Sequence, residues 1–280
     1  MTARRSVAVL YLLVPGVLVA QIPSDPHSVQ PERPTVATHA YTVAPGWLEI
    51  ETGVELDHFD DGSHVFGVPS NIKVGLTSHA QLNVLVPMVG AGAAPFGVGD
   101  VAVGVKWRLL DRNPVLGSFA LLPYLKLPSG SVAEGRGTGT TDATLIAISS
   151  RTLGAVSVDL NLAYTVRSGD GNQAPKRASF WTASFGFPLI GQTGWTFEYY
   201  GYPATSGPSG EGAYSAILTG PTATIRPWLE MDFGVIAPLA GRQRYGLYAG
   251  GAWNVGRLWS ASRGVSASLQ RSAGAMSRAP

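Results

Sequence analysis

An alternating stretch in the middle of the chain limits what this sequence can fold into more than any other feature. From Val101 to Leu109 every odd-numbered residue is large and apolar, whereas the even-numbered residues are small or charged. Because a β-strand sends successive side chains to opposite faces, the stretch forms a ribbon with one apolar face. A soluble sheet buries such a face against a second sheet, whereas a membrane barrel turns it toward lipid and places Asp100, Lys106 and Arg108 in the lumen.

The same alternation recurs along the chain and predicts twelve β-strands. The predicted strands cover residues 47–57, 64–76, 80–88, 99–110, 115–127, 142–150, 155–167, 178–187, 195–202, 212–224, 228–237 and 245–259. Short turns alternate with longer loops between them, and this pattern with an even strand count is typical of outer-membrane barrels. Pro69 interrupts the second strand, and since proline has no N–H to donate, we expect a bulge there.

The composition excludes several other classes of protein. The chain is too apolar for a disordered protein, because only 14% of its residues are charged. It has no Cys, which excludes disulfides, thiolate metal sites and a lipid-modified N-terminal Cys. No basic run suggests nucleic acid, and no apolar run of about 20 residues follows the N-terminus. We therefore predict an all-β, transmembrane, antiparallel up-and-down β-barrel of about twelve strands, with a soluble β-sandwich as the alternative.

Four segments are predicted along the chain. Arg4 and Arg5 precede an apolar run, which is the plan of a secretory signal peptide over residues 1–20. The Pro-rich polar stretch at 21–46 predicts a periplasmic lead-in, and the strands predict a barrel over 47–259. The remainder, 260–280, is expected to be a disordered C-terminal tail. This organisation predicts the bacterial outer membrane as the location after removal of the signal peptide, with outer-membrane lipid and the barrel-assembly machinery as partners.

The charged face of the predicted strands supplies a set of candidate lumen-lining residues. They are Glu49, Glu51, Glu55, Lys73, Asp100, Lys106, Arg108, Lys126, Asp142, Asp159, Arg167, Glu198, Glu230 and Asp232. Charges in a confined lumen need partners or water. Two interpretations stay open at this point: a structural network that fills a narrow barrel, or an eyelet that favours cations or polar solutes.

A family resemblance rests on five stretches between about Ala44 and Trp259. They are the lead-in to Glu51, the Gly99-Asp100…Gly104…Lys106…Arg108 strand, the run Tyr124-Leu125-Lys126-Leu127-Pro128-Ser129-Gly130, the Gly/Thr loop ending in Asp142, and Asn161-Leu162-Ala163-Tyr164. On these residues the chain resembles a family of outer-membrane transporters named for a meta-pathway of phenol degradation. The resemblance implies an outer-membrane barrel with a role in the passage of small compounds, aromatic ones among them, and it carries over no catalytic residue.

One histidine cluster offers an enzyme as the alternative. His58 and His64 flank a short loop that contains Ser63, and a Ser–His pair is the minimum for nucleophilic catalysis in small outer-membrane hydrolases or acyltransferases. The neighbouring Asp57, Asp60 and Asp61 could also hold Ca²⁺ with loop carbonyls. A solvated acidic turn explains the same residues, and we prefer that interpretation.

These observations predict a channel or transporter for small molecules, aromatic or hydrophobic compounds among them, rather than an enzyme. We expect no cofactor, no metal and no nucleic acid, and we expect small-molecule solutes to be the ligands. A non-transporting structural barrel and an outer-membrane lipid-modifying enzyme that uses the His58–His64 loop are the alternatives.

Overall fold

The computed structural model describes residues 25–92, 94–169, 175–208 and 212–260, so the predicted signal peptide and nearly all of the predicted tail lie outside the described residues. The described chain is built from β-strands. They are β1 (Trp47–Phe59), β2 (His64–Val68), β3 (Ser70–Gly75), β4 (Ala80–Leu85), β5 (Met88–Ala91), β6 (Gly97–Val98), β7 (Ala102–Asn113), β8 (Gly117–Lys126), β9 (Asp142–Leu153), β10 (Val156–Arg167), β11 (Arg177–Pro188), β12 (Thr193–Tyr202), β13 (Tyr214–Arg226), β14 (Leu229–Ala240) and β15 (Gln243–Arg257). In this part of the chain no helix is long and apolar enough to cross a membrane.

The strands close into one antiparallel barrel of twelve crossings, which confirms the predicted fold. β2 and β3 together make the second crossing, β4 and β5 the third, and β6 and β7 the fourth. Neighbours in sequence are neighbours in the sheet, and the last strand β15 pairs with β1 from Trp47↔Arg257 to Phe59↔Gln243. Closure leaves no long free edge, which a lipid-facing sheet requires.

The expected bulge at Pro69 is not found there. Opposite β1, the pairs Thr52↔Ser70 and Glu55↔Gly67 keep one continuous register on both sides of the proline. The register shifts instead in the fourth crossing, where Leu85 pairs with Ala102 but Met88 pairs with Val98. One extra residue is thus inserted around Asp100. Bulges are common at the rims of barrels, and this one lies where a loop is anchored.

The two faces of the strands differ as the alternation predicts. On β7, Val103, Val105, Trp107 and Leu109 are exposed on the outer surface, whereas Ala102, Lys106 and Arg108 are buried inside. The outer face is apolar and suited to lipid, and the inner face is polar.

The connections fall into two sets at opposite ends of the barrel. Short turns at 76–79, 114–116, 154–155, 189–192 and 227–228 form one rim, which we call the short-turn rim. The other rim carries the longer loops, including 127–141, and we call it the long-loop rim. Its last connection is shorter than predicted, since β14 and β15 continue to a two-residue turn at 241–242. In barrels of this kind short turns face the periplasm.

Candidate functional site

The most distinctive feature of the lumen is that the chain itself fills it. Residues 25–46, which we call the lumen segment, enter at the short-turn rim and return there to begin β1. Ala37, Ala40 and Val43 are at most 2% exposed. The sequence predicted a periplasmic lead-in over 21–46, whereas the structure places its described part inside the barrel.

Inward-facing side chains hold this irregular segment by its backbone. Backbone N–H groups donate to the wall in six places around the barrel: Gln30 to Glu49 Oε2, Glu32 to Glu51 Oε1, Val36 and Ala37 to Glu198, Thr38 to Asn161 Oδ1, Ala40 to Ser150 Oγ, and Val43 to Gln81 Oε1. All of these bonds are 2.6–2.8 Å long. Backbone without secondary structure is tolerated at membrane depth only where protein satisfies its polar groups. The charged wall supplies those partners.

Two buried lysines pair with carboxylates inside the barrel, Lys73 with two on β1 and Lys106 with one in the lumen segment. Lys73 Nζ lies 2.7 Å from Glu49 and 2.6 Å from Glu51, and it also donates to the Gln30 carbonyl oxygen. Lys106 pairs with Glu32 of the lumen segment and donates to the His39 carbonyl oxygen at 2.8 Å. Because removing one partner of a buried ion pair costs about 3–5 kcal/mol, this cluster locks the lumen segment to the wall.

Arg33 occupies a recess formed by two glycines. Its guanidinium makes two hydrogen bonds to Asp232, at 3.0 and 3.2 Å. Gly53 and Gly250 are paired across β1 and β15, and a Cβ on either would lie 2.6 Å from Arg33 Nη2. Only residues without a side chain leave room for the arginine here. The recess and the bidentate ion pair hold Arg33, and with it the lumen segment, against the wall.

The lumen segment divides the interior into two cavities. The cavity on the short-turn side has a volume of about 930 Å³ and is lined by polar residues such as Asp159, Thr196 and Glu230. The cavity on the long-loop side has a volume of about 630 Å³. Both cavities are bounded by Glu32 and Arg33, so the segment is the partition between them.

The two cavities differ in chemistry. Apolar and aromatic side chains line much of the long-loop cavity, namely Val36, Leu85, Leu122, Tyr124, Ile146, Tyr200, Leu218, Ile236 and Tyr248. Among the described residues the buried hydroxyl of Tyr248 has no hydrogen-bond partner. A largely apolar pocket with a few polar groups is the usual form of a small-molecule site.

All fourteen predicted lumen residues are at least half-buried. Nine are fully buried, namely Glu49, Glu51, Lys73, Lys106, Arg108, Asp142, Arg167, Glu198 and Asp232, and the other five are Glu55, Asp100, Lys126, Asp159 and Glu230. They do not form one constriction. Six of them contact the lumen segment through charged groups on five strands, namely Glu49, Glu51, Lys73, Lys106, Glu198 and Asp232.

A second group of charges anchors the longest loop at the long-loop rim. Lys126 pairs with Asp100 and Asp142 at 3.1 and 3.0 Å, and Asp100 accepts hydrogen bonds from the backbone N–H groups of Gly130 and Thr138. Partial burial raises the pKa of Asp100, but these backbone hydrogen bonds and Lys126 outweigh it and hold that pKa below the usual range. The carboxylate therefore stays ionised and pins loop 127–141.

The histidine cluster does not assemble as a catalytic site. Ser63 Oγ donates to Asp61 Oδ1 at 2.6 Å rather than to a histidine. This hydrogen bond lowers the pKa of Asp61. His58 stacks on Tyr245 with ring centroids 4.6 Å apart. In the described part of the chain no three His, Cys, Asp or Glu residues are placed to hold a metal ion, and this applies to Asp57, Asp60 and Asp61 as well.

Sequence reasoning missed the residues of the lumen segment that complete the site. Glu32 and Arg33 lie in a stretch without strand periodicity, so no alternation marks them as inward-facing. The uncharged wall residues Gln81, Asn161 and Ser150 were also absent from the predicted set, although they lie on the inward face of predicted strands. Counting every polar residue on that face, and not only the charged ones, would have found them.

Comparisons with known proteins agree with this architecture. A family model described as "Putative MetA-pathway of phenol degradation" matches residues 33–253. The chain is similar to the crystal structure of an outer membrane channel from Pseudomonas putida F1, with a TM-score of 0.60, 14% sequence identity and coverage of 76% of this chain and 97% of that one. It also matches OmpT, an outer membrane protein of Vibrio cholerae, at a TM-score of 0.34 and 10% identity over 74% of this chain and 98% of that one. No curated protein matches the sequence.

Proposed function

The chain belongs to the family whose model it matches over residues 33–253, a family of channel-like outer-membrane barrels, and from that premise we propose that it passes small solutes across the outer membrane. The observation that supports this is the divided lumen. Two cavities of about 630 and 930 Å³ lie on opposite sides of one partition, the lumen segment. Passage requires that segment to shift from the wall.

The solute class we propose is small, largely apolar molecules with one polar group, aromatic ones among them. The long-loop cavity supports this choice, because Leu122, Ile146, Leu218 and Ile236 offer apolar contact and the Tyr248 hydroxyl has no partner among the described residues. A simple sugar would leave many hydroxyl groups facing those apolar side chains, which carries a desolvation cost.

Swelling of liposomes that contain the purified full chain tests the proposal. Substituting Asp232→Asn weakens the hold on Arg33, and the matched control Asp61→Asn removes one carboxylate from an exposed loop. We expect swelling with a simple phenol to be faster than with glucose in the wild type, and several-fold faster again with D232N but not with D61N.

Two outcomes would contradict the proposal. No swelling with any solute in either background would favour a non-transporting structural barrel. Equal rates for phenol and for glucose in the D232N variant would show an open lumen without the proposed preference, and the apolar lining would then be read as packing for the lumen segment.

A further inference from the structure

The short-turn rim combines arginines with exposed apolar turn residues, and neither is explained by the lumen. The arginines are Arg112, Arg226 and Arg257, which are exposed, and Arg151, which is partly buried. In the described structure none of the four makes an ion pair with a carboxylate; Arg226 and Arg257 contact only backbone oxygens. Asp111, on the same rim, is already paired with Arg108 and His79. Asp25 is the other exposed carboxylate described there, so the rim carries a net positive charge.

Large apolar side chains project from the same turns. Ile190 is 89% exposed and Val115 is 78% exposed. Leu153, Ile225 and Leu258 are also exposed, and they lie at the ends of three different strands, β9, β13 and β15.

These turns are neighbours along the rim and form one surface. The Arg151 guanidinium donates to the Pro114 carbonyl oxygen, which joins the turns at 114–116 and 154–155. Thr224 N–H donates to the Gln192 carbonyl oxygen at 2.9 Å, which joins the turns at 189–192 and 227–228. The surface therefore runs along an arc of the rim rather than around a single turn.

Tryptophan places this arc at the level of lipid headgroups. Three tryptophans exposed on the outer surface lie at the short-turn end, namely Trp195, Trp253 and Trp259, whereas Trp47 and Trp228 pack against His27 of the lumen segment. Trp195, Trp253 and Trp259 expose 41–49% of their surface. Amphipathic indole rings concentrate at membrane–water interfaces, so Arg257, two residues from Trp259, lies at the level of the phosphates.

We propose that this arc binds anionic phospholipids of the inner leaflet of the outer membrane. Guanidinium groups bind phosphate oxygens in bidentate geometry, and the apolar turn residues enter the adjacent acyl region. An acidic protein would satisfy the arginines but would leave Ile190 and Val115 in a polar contact. A phospholipid satisfies both parts of the surface at once.

Native mass spectrometry of the purified full chain in neutral detergent tests this surface. The probe is an equimolar mixture of phosphatidylglycerol and phosphatidylcholine, and the measured quantity is the ratio of the two bound lipids. The rim variant carries R112Q, R151Q, R226Q and R257Q. The matched control carries K176Q, R177Q, R242Q and R244Q, four exposed cations at the long-loop rim.

We expect the wild type to retain phosphatidylglycerol preferentially. Each arginine near an anionic surface contributes about a fivefold preference, so the rim variant should lose at least fivefold of the ratio while the control keeps it. Because Arg151 also bonds to a neighbouring turn, a second variant with only R112Q, R226Q and R257Q separates lipid binding from a folding defect. An unchanged ratio in both rim variants, an equal loss in the control, or a two-copy complex that forms without lipid would each overturn the proposal.

Discussion

Glu198 offers the sharpest test of how the lumen segment is held. Its two carboxylate oxygens accept the backbone N–H groups of Val36 at 2.8 Å and Ala37 at 2.7 Å, and Thr182 donates to the same group. The substitution Glu198→Gln keeps the shape but replaces one acceptor oxygen with an NH₂ group. One backbone N–H then faces a donor and loses a charge-assisted hydrogen bond.

The size of the effect follows from that single lost bond. A hydrogen bond to a charged group contributes about 1.5–3 kcal/mol. If the segment leaves the wall as a unit, its open population rises by roughly 10- to 150-fold in the E198Q variant, while the barrel strands keep their pairing.

The absence of cysteine from the chain makes this measurable. Ala40 is fully buried in the lumen segment, packed near Leu122 and Ile148, so the substitution Ala40→Cys introduces one thiol that a maleimide reaches only when the segment opens. We expect labelling in the E198Q background to be about 10- to 150-fold faster than in the wild-type background. Glu230→Gln is the matched control, since Glu230 also faces the lumen but bonds to Thr224. Equal labelling rates in the wild-type and E198Q backgrounds would refute the conclusion that Glu198 holds the lumen segment against the wall.

Two further predictions concern the loop anchor and the arginine recess. Asp100→Asn removes the ionised acceptor of loop 127–141, so trypsin should cleave after Arg136 several-fold faster than in the wild type, as measured by mass spectrometry of the fragments. Gly250→Ala places a Cβ 2.6 Å from Arg33 Nη2, so the segment should open more often, as measured by the same thiol labelling; Gly251→Ala has a comparable backbone contact but no contact with the arginine.

Each of these has a result that would count against it. Cleavage of the loop at the same rate in D100N and in the exposed-loop variant D61N would show that Asp100 does not pin it. Labelling that rises equally in G250A and G251A would trace the change to the strands rather than to displacement of Arg33.

The alternation of residues on each strand was sufficient to predict the barrel and the direction of its side chains. On β10, Leu160, Leu162 and Tyr164 are exposed outside, and Asn161 is buried inside, as the sequence pattern requires. The bulge was misplaced at Pro69, because a missing N–H interrupts a ladder without changing its register. The shift near Asp100 has no such marker in the sequence.

The sequence by itself determined the strand count, the apolar outer face and the charged inner face, because these follow from a local period of two. Only the tertiary structure decided what the inner charges do. Lys73 meets Glu49 and Glu51 across β1 and β3, and Glu198 meets Val36 and Ala37 although the chain separates them by more than 160 residues. Backbone N–H groups of an aperiodic segment carry no sequence signal of their partners, and the closed barrel is what brings the carboxylates to them.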